Sequence, residues 1–147
     1  MTHLIASTGP RTWALPLSAV REVMRPLPVE PVADTPAYVL GVARIRGENV
    51  PVVSLASLLG EEASPAGRFV VLRVDGRSVA LAVDAVPGAC TLTAQEAELL
   101  PPLLSDVDRG RMEAIRRRDD RFLFVLDAAR LVPHEALEPI FAGGPVA

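Results

Sequence analysis

The sequence predicts a mainly β protein built as two small barrels, and three observations lead there. One strand–turn–strand pattern occurs twice along the 147 residues. The apolar runs are strand-sized, Val79–Val83 and Phe122–Leu126 being among the longest. With 14 prolines and 10 glycines, the chain is broken too often for long helices.

The repeat starts with Leu4–Val20 over Val70–Val86, at a constant offset of 66 (Val86 against Val20). Arg11, Ala14, Leu15, Ala19 and Val20 then fall on Arg77, Ala80, Leu81, Ala85 and Val86. Gly9-Pro10 and Asp75-Gly76 take the turns, because these residues reach the backbone angles a hairpin needs. Val50–Leu59 and Leu123–Val132 match at an offset of 73 (Leu123 against Val50), each a strand running into a short helix. The larger offset means that one repeat carries extra loop residues. Gly60–Gly67, polar and marked by proline and glycine, forms the junction.

The expected organisation is one domain over residues 1–147. A first barrel half spans about 3–60, a linker 61–67, a second half 68–132, and a C-terminal helix and tail 133–147, with terminal strands open to exchange between barrels. Short helices are expected at Leu55–Leu59, Gln95–Leu100, Ala128–Leu131 and His134–Phe141, the last begun by Pro133 in its first turn.

Composition narrows the function. Half of the residues are hydrophobic and mean hydropathy is +0.31, yet no apolar run approaches the roughly 18 residues of a membrane span. The opening Met1–Ala6 has no basic start and only a short apolar stretch, so no secretory signal is expected. A net charge of -3 and a pI near 5.4 argue against general nucleic-acid binding. Cys90 is the single cysteine and has no internal disulfide partner, which fits a reducing cytoplasm.

No catalytic or metal-binding pattern emerges, and no cofactor is expected. His3 and His134 stand apart, without zinc-site spacing. Asp106–Gly110 opens like a calcium loop, but Arg117 stands where the closing acid belongs. There is no glycine-rich phosphate loop and no nucleophile elbow. Glu61-Glu62 and Asp119-Asp120 read as solvated loop surface. Arg116–Arg121 reads as a hairpin tip between Met112–Ile115 and Phe122–Leu126, diluted as an anion site by its two aspartates. Cys90, in an apolar strand, reads as a buried and inert thiol.

Two charges stand out among apolar neighbours. Glu22 lies between Val20 and Val23-Met24, and Arg46 follows Val42 and Ile45. Such groups are costly to desolvate alone, and arginine's fork suits a carboxylate. On neighbouring strands they would pair; otherwise they are two exposed charges. The residues leave both open.

Val20–Met24, Tyr38–Gly47 and Val50–Leu55 resemble the CheW family of chemosensory coupling proteins, whose pattern runs V-x-E-V, G-V-x-N-L-R-G and V-P-V-V-D-L. Leu81–Val86 and Phe124–Leu131 resemble its later L-x-V-D-x-V and closing elements, so the likeness covers about residues 3–140. Each motif alone is mostly apolar and weak; five in order are specific.

The resemblance implies two five-stranded SH3-like barrels around a hydrophobic groove, in a non-enzymatic bacterial adaptor. It implies a chemoreceptor cytoplasmic tip and the regulatory domain of a CheA-type histidine kinase as partners, and a cytoplasmic location at receptor arrays. Nucleic acid and direct membrane insertion are not expected. Glu22 and Arg46 match positions associated with a salt bridge and partner binding. Val20 and Val86 match groove-facing apolar positions, and Gly47 and Val50 fall near the kinase-facing side.

Arg44 stands for the family's asparagine, Ser54 for its aspartate, and Arg116, Arg117 and Arg118 add charge. These departures bear on partner choice. Two alternatives follow: an adaptor of the same fold in polarity, pilus or gliding control, and a small-ligand or enzymatic barrel.

Overall fold

The computed structural model describes residues 2–91, 112–118, 121–128 and 131–141. The first repeat supplies β1 (Thr2–Thr8), β2 (Arg11–Pro16), β3 (Val20–Met24), β4 (Val39–Ile45), β5 (Glu48–Ser54) and α1 (Leu55–Leu58). The second supplies β6 (Arg68–Val74), β7 (Arg77–Val83), β8 (Ala85–Thr91), β9 (Met112–Arg118) and β10 (Arg121–Leu126), followed by α2 (His134–Phe141). β6 and β7 begin 66 residues after β1 and β2, and β9 and β10 begin 73 residues after β4 and β5, as the two offsets require. The expected α2 is present over the same residues, with the Ala136 N–H donating to the Pro133 carbonyl at 3.2 Å.

The strands form two five-stranded sheets, ordered β8-β1-β2-β10-β9 and β3-β6-β7-β5-β4. Each sheet takes the leading hairpin of one repeat and three strands of the other. The third strand of each repeat crosses over: β3 pairs with β6, and β8 with β1. The closing strand of each repeat returns in parallel, β10 on β2 and β5 on β7. Parallel pairing needs a long connection, and residues 55–76 supply it between β5 and β7, as 17–120 do between β2 and β10.

Alternation along the strands sorts the apolar residues into three cores. Ala43, Ile45, Val52, Phe69, Val71 and Ala80 fill the interior of the second barrel. Ala14 and Val125, with Ile5 and Cys90 against them, lie inside the first. The opposite faces meet between the sheets, where Leu4, Trp13 and Leu15 join Val70, Val79 and Leu81. Those six are repeat equivalents, 66 apart in pairs, so the two halves pack about a pseudo-two-fold axis. Both faces of β6 and β7 are covered, which explains why they read as continuous apolar runs. Burying each such Leu or Val contributes about 1.5–3 kcal/mol.

Several details refine the sequence expectations. Asp75 and Gly76 both have positive φ (51° and 76°), the type I′ turn that their identities favour. Arg116–Arg118 and Arg121 belong to the paired strands β9 and β10, with Arg118 opposite Arg121. Cys90 is half-buried on an edge strand rather than fully enclosed. Glu61 is no free surface acid: it pairs with Arg11. The expected helix Gln95–Leu100, the segment Asp106–Gly110 and Asp119-Asp120 lie outside the described residues, as does part of Ala128–Leu131. No helix among the described residues is long and apolar enough to cross a membrane.

Candidate functional site

The site is assembled by a bulge and a strained turn. β3 pairs with β6 through Val20–Leu72, Glu22–Val71 and Met24–Phe69, with a register shift between Val20 and Glu22. In a regular strand Val20, Glu22 and Met24 would share one face. The shift turns Val20 toward the core between the sheets, while Met24 packs inside the second barrel. Glu22 is left at the barrel rim, its side chain 20% exposed.

Arg46 and Gly47 form the two-residue turn between β4 and β5, closed by Ile45 opposite Glu48. Their φ angles are 52° and 79°. A left-handed arginine is uncommon, since its Cβ crowds the following carbonyl. The turn aims the guanidinium back at β3. Arg46 Nε donates to both Glu22 carboxylate oxygens at 3.0 and 3.1 Å, and Nη2 donates to Oε2 at 2.6 Å.

β3 and β4 are the end strands of their sheet order, not neighbours, so this fork bridges the seam where the sheet curls on itself. The pairing that the residues alone left open is made, by curvature rather than by adjacency. The hydrogen bonds from Arg46 hold the Glu22 carboxyl below its ordinary range, against the opposing pull of burial. The same contact raises the Arg46 guanidinium.

A second polar link runs beside the first. Arg21 donates from Nη1 to the Ser78 hydroxyl at 3.0 Å and lies 3.8 Å from Glu48 Oε2. Ser78 is almost wholly buried, so the bond satisfies a hydroxyl that water does not reach.

Val86 lies on β8 and packs on the same inter-sheet core as Val20. The two are repeat equivalents on the two exchanged strands, one on each sheet. Gly47 is exposed in the turn. Val50 differs from its expected role: it is 2% exposed and faces the interior of the second barrel. It offers a partner no surface and instead supports the hairpin from within.

The motif residues also acquire physical reasons. A Cβ at Gly41 would run into the Glu30 carbonyl, where residues 25–38 cross β4 and Glu30 pairs with Val42. Ser54 caps α1, its Oγ accepting from the Ser57 N–H at 3.2 Å, so it keeps the capping ability of the family's aspartate. Asp84 accepts from the Gly9 N–H at 2.6 Å and from the Ser64 hydroxyl at 2.7 Å, tying the first hairpin and the linker to β8.

Sequence reasoning missed one symmetric device. Arg11 pairs with Glu61 and lies over the Phe124 ring at 5.6 Å; its repeat mate Arg77 pairs with Glu138 at 3.3 Å and lies over Phe141 at 4.5 Å. The shared offset of the two arginines was the available signal. Leu17, Val23 and Leu40 are the exposed large apolar side chains among the described residues. No cluster of three or more histidine, cysteine or acidic side chains forms among those residues.

Comparison with known proteins bears on the family and the fold. The family model described as "CheW-like domain" matches residues 2–136. The chain is 31% identical over 133 residues to "Chemotaxis protein CheW" of Rhizobium meliloti, covering 88% of this chain and 86% of that protein. It is 31% identical over 126 residues to "Probable chemotaxis protein CheW" of Rhizobium etli, covering 84% and 81%. The crystal structure of the scaffolding protein TtCheW from Thermoanaerobacter tengcongensis superposes with a TM-score of 0.81 at 22% identity, covering 92% of this chain and 89% of that one.

Proposed function

The chain belongs to the CheW-like domain family, and from that membership we propose that it couples chemoreceptor cytoplasmic tips to a CheA-type histidine kinase. At the coarser level it is a chemotaxis coupling adaptor of CheW type, a scaffold and not an enzyme. In this proposal it works in the cytoplasm, recruited to receptor arrays, with neither nucleic acid nor direct membrane insertion involved.

Val20 and Val86 offer apolar anchors to a receptor helix, a common mode of groove recognition. The Glu22–Arg46 fork stands at the rim beside Val20, where a charged pair sets orientation and excludes wrong partners. Gly47 belongs to the kinase-facing side of the same hairpin. Val50 acts there only by holding β5 in place.

The observation that carries the proposal is the fork itself. A rim charge pair held by a strained turn is a poor device for stability alone, since exposed ion pairs contribute little. It makes sense as a fixed recognition surface. The experiment is capture of receptor fragment and kinase by wild type and Arg46→Asp. Loss of either partner by a variant that stays folded is expected; undiminished capture of both would overturn the proposal.

A further inference from the structure

We propose that α2 is a releasable strap over one end of the partner groove, and that a receptor helix packing on Val20 competes with it. The inference rests on the groove assigned above. Four observations carry it.

The seat of the strap adjoins the groove. Leu72 is the cross-strand neighbour of Val20, and with Val74 and Val79 it lines the space beneath α2. Leu72 lies across from Val20 on β6 and is 1% exposed, so an apolar partner at Val20 reaches it only where α2 lifts. Leu137 and Phe141 of the strap line the same space.

The fit is incomplete. Leu137 and Ile140 are buried in the inter-sheet core, yet a cavity of about 30 Å³ remains under the helix. Packing defects of this kind lower the cost of opening relative to a filled interior.

The helix is intrinsically weak. It has 8 residues, too few to persist without tertiary contacts. Residue 139 is a proline, which has no N–H to complete the rung to residue 135.

Among the described residues, Arg77 is one outer tether. Arg77 pairs with Glu138 at 3.3 Å and covers the Phe141 ring at 4.5 Å, with side chains 43% and 54% exposed in the ion pair. Contacts so open to water hold lightly and weaken with salt. Local opening of this order is where exchange-competent, functionally mobile segments are drawn from.

The test uses amide hydrogen exchange and binding of a purified chemoreceptor cytoplasmic fragment from the source organism. In the free protein, the amides of residues 137, 138, 140 and 141 exchange faster than those of β7. Arg77→Ala speeds them about threefold and Pro139→Ala slows them about tenfold or more. The fragment binds Arg77→Ala more tightly than wild type and Pro139→Ala more weakly, and its binding speeds strap exchange. A strap exchanging as slowly as β7, or equal affinity across the three proteins, would overturn the inference. Val20→Asp separates the two levels: if it abolishes binding while strap variants change nothing, only the strap fails. If the wild type binds no fragment, the groove assignment fails and the competition with it.

Discussion

Glu22 on β3 and Arg46 at the end of β4 join opposite ends of one sheet order, with three hydrogen bonds from a single guanidinium. The pair thus marks where the second barrel closes. It also places fixed charge two residues along β3 from Val20. Most of the consequences that follow can be measured without knowing the partner.

Arg46→Asn separates strain from recognition. Asparagine accepts the left-handed angle of 52° more readily than arginine, so relief of the turn offsets loss of the exposed pair. The melting temperature is expected within about 3 °C of wild type. Capture of receptor fragment or kinase is expected to fall at least about tenfold, the scale of an interfacial charged contact.

The pair also has a pH signature. Glu22 has its folded-state carboxyl depressed by Arg46, so its contribution is present above the unfolded value and lost as pH falls through the folded one. Urea titrations of wild type and Glu22→Gln should therefore differ at neutral pH and converge in acid. A difference that stays constant from neutral pH into acid would show that the carboxylate's charge is not the cause.

Two glycines test the crossing geometry. Alanine at Gly41 would collide with the Glu30 carbonyl at a φ of 143°, and alanine at Gly67 with the Asp84 carbonyl. Each substitution is expected to cost at least about 2 kcal/mol in urea unfolding, the scale of overpacking against fixed backbone.

Ser54→Ala tests the departure from the family's aspartate. Removing the hydroxyl leaves the Ser57 N–H without its cap, and a loss of about 1 kcal/mol is expected by denaturant midpoint. Unchanged stability would mean that the capping bond is not what the aspartate and serine have in common.

Much of this was legible in the sequence, for local reasons. Gly9-Pro10 and Asp75-Gly76 announced the hairpins because turn geometry selects those residues. The offsets of 66 and 73 exposed the duplication because equivalent strands carry equivalent patterns. Strand exchange was not legible to the same depth. The parallel pairings of β5 with β7 and β10 with β2 are non-local, and a strand's own residues do not name its neighbour.

The site shows the same division. Glu22 and Arg46 were conspicuous as charges among apolar residues, but only the curl of the sheet brings them together. Val50 was placed toward a partner by resemblance, whereas its alternation with Val52 signals a barrel interior. Arg11 and Arg77 were aligned by the repeat, while their phenylalanine and glutamate partners lie on distant segments.

The most direct test of the coupling role is co-sedimentation of the CheA-type kinase with receptor-containing membranes, driven by wild-type protein or by Arg46→Asp. The wild type is expected to bring the kinase down with the membranes. The folded variant is expected to leave most of it in the supernatant. Full recruitment of the kinase by Arg46→Asp would contradict the assignment of the Glu22–Arg46 rim as the working surface.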